Sequence, residues 1–355
     1  MPYETGKSQL TFLSLMEKVE KFLFSHGYEN EEAQAFNILH NSVTNSIQIT
    51  WATKLVVIYL RTLNFYNFCS DLCQWLVPPK QETLHDAVIL VTGGGKGIGR
   101  KLALYFAKYH PKHIILWGRT KTALSQTAKN VQDLNVNCSY MICDVTSREQ
   151  IYSLAKEVEA KYGQVTMLIN NAGVVHGNSI LSSDPADIEN TFRTNTLAHF
   201  WTVRAFLPGM INHNCGHIVT VGSLLGLTAL NGAADYCSSK YALTGFTESL
   251  REELKSMNCT GITVTCVYPY HVDNDMFAGI TTRFPSIFHP INEDYLVGKI
   301  ADAVLTKREK IIVPKLMYLY ALASSITPVS AISSIMKFTG VHKAMDQFRQ
   351  HRKKQ

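Results

Sequence analysis

Short apolar runs alternate with amphipathic, helix-like stretches through the middle of the chain. Seven of these runs are long enough to form strands, at residues 87–92, 113–118, 139–143, 165–170, 217–222, 262–268 and 310–314. Continuous apolar runs of this kind are typical of strands that are buried on both faces of a sheet. Because helix-like stretches separate them, the pattern predicts an α/β fold over residues 84–315, with a doubly wound, parallel, seven-stranded sheet of the Rossmann type.

The residues that precede this region have a different pattern. Residues 1–83 form an N-terminal extension, and its aromatic and aliphatic segment at about 49–77 is interrupted by Lys54, Arg61 and Asp71. A membrane-spanning helix needs about 20 mostly apolar residues. We therefore expect an interfacial helix at a membrane surface or, as the alternative, a helix packed in a core. Charged residues also interrupt the first apolar residues of the chain, so we expect no signal peptide.

Residues 316–355 form a third zone. It begins with an uncharged run, 316–336, and ends in a basic tail with the sequence HRKKQ. Several serines and Pro328 make the run a poor membrane span. Three roles stay open for it: a membrane-associated hairpin, a lid over an apolar pocket, or an oligomer contact.

Composition and charge narrow the class of ligand. The chain has 355 residues, of which 46% are hydrophobic and 17% charged, with a formal net charge of +6. No Asp or Glu occurs between residues 87 and 132, whereas Lys and Arg are frequent there. This local surplus favours a phosphate-rich small ligand, and we expect no nucleic-acid partner. The cysteines show no metal-binding spacing, so we expect free thiols, a reducing compartment and no metal site.

A glycine cluster stands between the first predicted strand and the helix-like stretch after it, in ILVTGGGKGIGRKLALYFA. Gly93, Gly97 and Gly99 suit a tight turn that brings the backbone against a pyrophosphate at a helix N-terminus. Glycine-rich turns also occur without a ligand. The predicted strand before this glycine cluster and the helix-like stretch after it supply the context that favours a dinucleotide site.

The end of the second predicted strand indicates which dinucleotide is bound. NAD-dependent enzymes place an acidic residue there, which bonds the ribose hydroxyls, whereas this chain has Arg119 and Thr120. A guanidinium group can bind the 2′-phosphate of NADP(H). Lys96, within the glycine cluster, adds a second positive charge. The sequence therefore predicts NADP(H) as the cofactor.

Candidate catalytic residues occur in the second half of the chain. Tyr236 and Lys240 stand four residues apart in a helix-like stretch and therefore share one face. A phenol has a pKa of about 10, and we expect the neighbouring ammonium, with the charge of the nicotinamide, to lower it. Ser223 follows a predicted strand and can bond the substrate oxygen. Tyr–Lys pairs are common on surface helices, so the combination with Ser223 and the glycine cluster is what indicates catalysis.

These motifs together resemble those of the short-chain dehydrogenase/reductase family, in the family's order over about residues 84–314. The matching positions are Thr92-Gly93, Gly97-Ile98-Gly99, Asn170-Asn171-Ala172-Gly173, Asn195, Ser223 and Tyr236-Cys237-Ser238-Ser239-Lys240. The resemblance implies cofactor contacts from Gly93, Gly95, Lys96, Gly97, Ile98, Gly99, Arg119, Thr120, Asp144, Val145, Asn171, Ala172, Gly173, Tyr236, Lys240 and Pro269.

The resemblance also assigns individual roles. Asp144 and Val145 would meet the adenine, and Lys240 would bond the nicotinamide ribose. Asn195, Ser223, Tyr236 and Lys240 would be the catalytic residues, with Ser223 on the substrate and Asn195 kinking its helix and holding a water on the proton path. The chain departs from the family after the sixth strand, where the family has Pro-Gly and a later Thr and this chain has Pro269-Tyr270-His271-Val272-Asp273-Asn274. We expect the bulk of Tyr270 and His271 to shape the nicotinamide end.

Several segments, among them WGRTKT and NNAGVVHGNS, are most similar to the retinal short-chain reductases. This implies NADPH-dependent reduction of a lipophilic carbonyl, foremost all-trans-retinal, at the endoplasmic reticulum membrane or lipid droplets, with the catalytic domain facing the cytosol. A homodimer is left open as a further partner. The alternatives are an NADP(H)- or NAD-linked hydroxysteroid or fatty-alcohol dehydrogenase and a non-catalytic membrane or lipid-droplet binding protein. The intact serine, tyrosine and lysine argue against the last.

Overall fold

We describe a computed structural model of the chain over residues 82–280, 283–284 and 289–352. These residues belong to the second of two units into which the chain divides, residues 80–355. The expected interfacial segment at about 49–77, nearly all of the N-terminal extension and the last three residues of the basic tail lie outside the described residues.

Seven parallel strands form one sheet. They are β1 (Val88–Thr92), β2 (His113–Gly118), β3 (Cys138–Ile142), β4 (Met167–Asn170), β5 (Gly216–Val221), β6 (Ile262–Pro269) and β7 (Lys310–Val313). Their order across the sheet is β3-β2-β1-β4-β5-β6-β7, and each neighbouring pair is parallel. The predicted doubly wound, seven-stranded sheet is confirmed, with strand ends within two residues of the predicted ones.

Helices connect the strands and continue the chain beyond the last one. They are α1 (Gly97–Ala107), α2 (Lys121–Gln132), α3 (Arg148–Tyr162), α4 (Pro185–Phe192), a π-helical turn (Arg193–Leu197), α5 (Ala198–His213), α6 (Ala234–Ser256), α7 (Glu293–Leu305), α8 (Leu316–Ile326), α9 (Val329–Thr339) and α10 (Ala344–Arg352). Short 3₁₀ turns lie at Leu224–Gly226, Asp275–Phe277 and Val341–Lys343.

The core lies on both faces of the sheet, as the uninterrupted apolar strands predict. On one face, Leu102 and Phe106 of α1 and Ile300 of α7 are fully buried against the strands. On the other face, Phe206 of α5 contacts Trp117 of β2, with 5.7 Å between the ring centroids. Because helices cover both faces, functional groups can gather only at the edges of the sheet where the strands end.

The uncharged run of the C-terminal zone forms two helices, α8 and α9. The break falls at Pro328, whose ring fixes φ and whose nitrogen has no proton for a helical hydrogen bond. Among the described residues, every helix is too short or too polar to cross a membrane. The two helices expose apolar side chains, including Leu319, Leu322 and Phe338.

Candidate active site

The predicted site residues come together at the carboxyl edge of the sheet. All seven strands point the same way, so the loops that follow β1 to β6 meet there. The strand order reverses between β1 and β4, and ligands of open α/β sheets bind at such a reversal. The glycine cluster follows β1 and Asn171 follows β4, so both lie at this point.

The glycine cluster forms a tight turn after β1, here called the cradle, whose backbone conformation and close packing require glycine. Gly93 has a φ of +66° and Gly97 a φ of +55°, in the left-handed region that side chains rarely adopt. A Cβ on Gly99 would lie 2.5 Å from Nδ2 of Asn171, so the loop after β4 packs directly on this helix turn. Gly95 packs against α2, where a Cβ would lie 3.2 Å from that of Ala123.

The N-terminus of α1 has the properties of an anion site. Its N-cap residue, Lys96, makes no side-chain hydrogen bond to the helix, and the first turn, which includes Gly97 and Ile98, contains no acidic residue. The first backbone N–H groups of a helix lack partners within it and carry a partial positive charge. A pyrophosphate therefore fits the end of α1.

Arg119 and Thr120 lie directly after β2, as predicted. Both are exposed. Thr120 is the N-cap of α2 but makes no side-chain capping bond there. The Arg119 guanidinium forms no ion pair within the described part of the chain, and the ammonium of Lys96 is likewise unpaired within it. Positive charge is therefore available at the end of β2, where a ribose phosphate would lie.

One acidic group near the cradle was not predicted from the sequence. Glu293 begins α7 and reaches the glycine loop, with Oε1 3.6 Å from the position of a Cβ on Gly97. Its other carboxylate oxygen lies 3.3 Å from Nζ of Lys101, which also pairs with Asp294 at 3.0 Å. The absence of acidic residues between 87 and 132 therefore does not extend to the folded neighbourhood. The Asn292-Glu293 helix start was visible in the sequence, but its packing on α1 was not.

The residues after β3 are largely occupied within the protein. Asp144 Oδ1 accepts hydrogen bonds from the Thr146 backbone N–H at 3.0 Å and hydroxyl at 2.9 Å. Val145 is buried in the core beside Cys143. The contact of Asp144 and Val145 with an adenine stays a prediction.

The loop after β4 is joined to the end of β1 through Thr92. The Thr92 hydroxyl accepts from the backbone N–H groups of Asn171 and Ala172, at 3.0 and 3.1 Å. Asn171 Nδ2 donates to the Thr92 carbonyl oxygen at 3.0 Å. Gly173 follows, and a Cβ there would lie 3.4 Å from Oδ1 of Asn195. This network fixes the position of the phosphate cradle relative to the loop after β4 and to Asn195.

Asn195 lies in the π-helical turn between α4 and α5, so the predicted helix kink is present. The side chain is fully buried, and Oδ1 accepts from Val174 N–H at 2.8 Å. Nδ2 donates to the Val174 carbonyl at 2.9 Å and to Oγ of Ser239 at 3.1 Å. Ser239 is the residue before Lys240, so Asn195 ties the loop after β4 to α6. Its water on a proton path stays a prediction.

Ser223, Tyr236 and Lys240 form one buried group. They are 8%, 4% and 4% exposed. Lys240 Nζ lies 5.7 Å from the centroid of the Tyr236 ring and donates to the Val221 carbonyl oxygen at 3.0 Å. Ser223 is close enough to Tyr236 to act on the pKa of its hydroxyl, and Ser223 Oγ accepts a hydrogen bond from Leu225 N–H at 3.1 Å. The helical spacing therefore places lysine and tyrosine on one side, as predicted.

In the protein alone the pKa of Tyr236 moves in the opposite direction, and the predicted lowering, which includes the charge of the nicotinamide, stays a prediction. Burial raises the pKa of Tyr236 above its ordinary value, and the nearby Ser223 only partly offsets this. Burial also lowers the pKa of Lys240 to about 8. The spacing of Tyr236 and Lys240 gives their charges but not the cost of removing both groups from water, which depends on their burial in the folded protein.

The residues after β6 close the site on the far side. Pro269 ends β6, and Tyr270 N–H donates to the Val313 carbonyl oxygen at 2.8 Å. His271 Nε2 lies 3.4 Å from the carbonyl oxygen of Phe277. The Phe277 ring in turn meets Tyr236 edge-on, with 5.6 Å between centroids. The loop therefore reaches Tyr236 through Phe277, which the sequence analysis did not single out.

The site thus contains a phosphate cradle, uncommitted positive charge at the end of β2, and a buried hydroxyl pair backed by a lysine. A nucleotide in the cradle would extend along the carboxyl edge toward Tyr236. The arrangement suits a proton transfer to or from an oxygen atom held beside that nucleotide. No described cluster of His, Cys, Asp and Glu could hold a metal ion.

Comparisons with known proteins agree with this geometry. The family model for short chain dehydrogenases matches residues 87–283. The chain is 40% identical to short-chain dehydrogenase/reductase 3 of Homo sapiens over 77% of its own length and 90% of that protein. It is 38% identical to retinol dehydrogenase 10 of Xenopus tropicalis over 81% of its own length and 92% of that protein.

Two solved structures are similar as well. One is a short-chain dehydrogenase/reductase from Burkholderia phymatum in complex with NAD, with a TM-score of 0.61 and 22% identity, covering 68% of this chain and 93% of that one. The other is a metagenomic short-chain oxidoreductase in complex with NADP, with a TM-score of 0.56 and 25% identity, covering 65% of this chain and 98% of that one.

Proposed function

This chain belongs to the short-chain dehydrogenase family, and we propose that it uses NADPH to reduce a retinoid aldehyde to the alcohol. As a member of the family it is an oxidoreductase that acts on CH–OH groups with a nicotinamide cofactor. The observation that carries the proposal is the buried group of Ser223, Tyr236 and Lys240 at the same sheet edge as the phosphate cradle.

Arg119 supports NADPH rather than NADH. It stands after β2 with its guanidinium uncommitted, and a 2′-phosphate there would gain charge-assisted hydrogen bonds. Lys96 would add positive charge from the glycine loop, and the N–H groups at the start of α1 would hold the pyrophosphate. When bound, the cofactor supplies or accepts the hydride.

The chain's own residues manage the proton and the substrate oxygen. In reduction, Tyr236 Oη gives its proton to the substrate oxygen as the carbonyl becomes an alcohol. The Ser223 hydroxyl donates a hydrogen bond to the same oxygen and stabilises its growing negative charge. Lys240 stabilises the phenolate that Tyr236 leaves, and Asn195 positions the helix that carries both. A proton from solvent restores the phenol.

The substrate class rests on the relatives. Retinol dehydrogenase 10 of Xenopus tropicalis is named for a retinoid alcohol and matches over 92% of its own length. We take all-trans-retinal as the substrate. We take reduction as the direction because cells keep most of their NADP(H) pool in the reduced form, NADPH. Hydroxysteroids and fatty alcohols are the rival substrates, with either cofactor.

A substrate panel tests the proposal. The purified full chain is assayed with all-trans-retinal, a steroid ketone and a long-chain aldehyde, each with NADPH and with NADH. We expect the highest kcat/KM with retinal and NADPH. Higher kcat/KM with the steroid would replace our substrate by its rival. Tyr236→Phe should abolish turnover and leave NADPH binding intact, whereas a wild-type protein that binds NADPH but turns over nothing would favour the non-catalytic alternative.

The exposed apolar residues of α8 and α9 support a membrane or lipid-droplet surface as partner. Leu319 is 67% exposed and Phe338 63%, and such residues on an interfacial helix insert among lipid chains. We propose residence at the endoplasmic reticulum membrane or lipid droplets, with the catalytic domain in the cytosol. Flotation of the full chain with liposomes, compared with Leu319→Ser and Phe338→Ser, tests the surface. Size exclusion in detergent tests the homodimer that we also propose.

A further inference from the structure

Helix α9 carries large apolar side chains on its exposed side. Phe338 is 63% exposed and Ile335 48%, whereas Thr339 of the same helix is buried. Other exposed positions of this helix are residues 330, 333, 334 and 337. At 3.6 residues per turn these positions fall within one contiguous arc. The helix therefore has a broad exposed face, which carries both Phe338 and Lys337.

The loop after β6 adds a guanidinium group to this face. Cζ of Arg283 lies 6.0 Å from the centroid of the Phe338 ring. The centroid of the Phe284 ring lies 5.4 Å from that of Phe338. Arg283 is exposed and forms no ion pair with any other residue that the structure describes. An aromatic ring and an uncompensated cation therefore lie side by side at the surface.

The backbone of Arg283 is held against the end of α9. Its N–H donates to the Thr339 carbonyl oxygen at 2.9 Å. Gly340, the C-cap residue of α9, has a φ of +79°, and a Cβ there would lie 3.3 Å from the backbone nitrogen of Arg283. A side chain at Gly340 would therefore be strained by its backbone conformation and would crowd the loop. These contacts fix the loop on the helix, so the cation stays beside the exposed ring.

Acidic residues are missing from both segments that build this surface. No Asp or Glu occurs between residues 276 and 292 or between residues 310 and 345, and the second segment contains four lysines. Exposed apolar side chains with uncompensated positive charge complement a membrane that has anionic headgroups. An acidic protein partner would match the charge but would place polar groups against Phe338 and Ile335. A purely apolar partner would leave Arg283 without a counter-charge.

We propose that this surface binds anionic phospholipid, with Arg283 and Lys337 at the headgroup phosphates and the Phe338 ring among the acyl chains. This rests on the membrane partner proposed above and names the lipid chemistry that the partner presents. A guanidinium can donate two parallel hydrogen bonds to one phosphate. The loop that carries Arg283 also carries Phe277, whose ring meets Tyr236. The lipid-binding surface and the active site therefore share one loop.

Flotation of the purified full chain with vesicles measures this interaction. Vesicles of phosphatidylcholine alone are compared with vesicles that also contain phosphatidylserine, for the wild type, Arg283→Gln, Arg283→Lys and Lys337→Gln. We expect Arg283→Gln and Lys337→Gln each to weaken binding to the phosphatidylserine vesicles about fivefold, the usual effect of one basic residue near an anionic surface. Binding to phosphatidylcholine alone should stay near the wild-type level. Arg283→Lys keeps the charge and should lose less, and high salt should reduce the effect of phosphatidylserine because it screens charge.

Lys112→Gln is the matched control. Lys112 is exposed and lies directly before β2, at the amino edge of the sheet, whereas the loop after β6 lies at the carboxyl edge. This variant should bind both kinds of vesicle as the wild type does, and thermal unfolding checks that every variant keeps its fold.

Three outcomes would overturn the inference and leave the membrane partner standing. They are wild-type binding of Arg283→Gln to the phosphatidylserine vesicles, an equal loss in Lys112→Gln, and a loss that is as large with phosphatidylcholine alone. A wild type that floats with neither kind of vesicle would refute the membrane partner and the inference together. Retinal turnover in detergent tests the proposed reaction separately from both.

Discussion

Replacement of Arg119 by alanine should shift cofactor preference. The guanidinium is exposed, follows β2 directly and forms no ion pair within the described part of the chain. A hydrogen bond to a charged group contributes about 1.5–3 kcal/mol, and solvent around an exposed side chain favours the lower end of that range. A loss of about 1.5 kcal/mol corresponds to roughly a tenfold rise in KM. NADH lacks the 2′-phosphate, so its KM should change little.

Steady-state kinetics with saturating retinal measure this effect. KM values for NADPH and NADH are compared for wild type, Arg119→Ala and Lys129→Ala. Lys129 is a second exposed basic residue, in the last turn of α2, about 12 Å of helix rise from the first turn. The Lys129→Ala substitution removes one positive charge, as Arg119→Ala does, but at a position distant from the predicted phosphate. Equal rises for both cofactors in Arg119→Ala, or an equal effect in Lys129→Ala, would refute the assignment of Arg119 to the 2′-phosphate.

Three further predictions concern packing and protonation. Gly99→Ala should lower the melting temperature and weaken NADPH binding, because its Cβ would lie 2.5 Å from Nδ2 of Asn171 and such overpacking costs about 1–3 kcal/mol; Gly298→Ala, where no atom lies within 4 Å, should be neutral or stabilising. Phe106→Ala, fully buried in the core, should lower the free energy of unfolding in urea by about 3–5 kcal/mol, and a loss below about 1 kcal/mol would contradict its core position. Since burial lowers the pKa of Lys240 to about 8, its positive charge is lost as pH rises through that value, so kcat/KM for aldehyde reduction should fall above pH 8; a profile that stays level well beyond it would contradict this.

The fold could be predicted because its signals are local. The strand from Val88 to Thr92 is apolar at four of five positions and buried at all five. Its burial on both faces could therefore be predicted from its own residues. The glycine cluster and the Tyr236–Lys240 spacing are local as well, since one turn of backbone or one turn of helix determines the geometry. Strand ends differed by up to two residues because β4 begins at Met167, beyond the apolar Val165.

Contacts between distant segments could not be predicted in this way. Glu293 reaches the glycine loop because α7 packs on α1. The sequence of neither helix indicates which other helix it will pack against. The packing of Met345 on Gly177 is of the same kind, although a lid was among the roles considered for the C-terminal zone. The protonation of Tyr236 depends on how completely the folded chain excludes water, which charge spacing alone does not reveal.

Burial of the catalytic pair affects the protonation states from which the reaction starts. A phenol whose pKa is raised keeps its proton throughout the neutral range, which is the state that a proton donor to a carbonyl oxygen needs. Oxidation of an alcohol requires the phenolate instead, and Lys240 can stabilise that anion only while it is charged. The pKa of Lys240 is lowered to about 8, so raising the pH to deprotonate Tyr236 removes the charge that would stabilise the phenolate. Reduction starts from the phenol and the charged Lys240, which are the protonation states that these two pKa shifts favour near neutral pH in the protein alone.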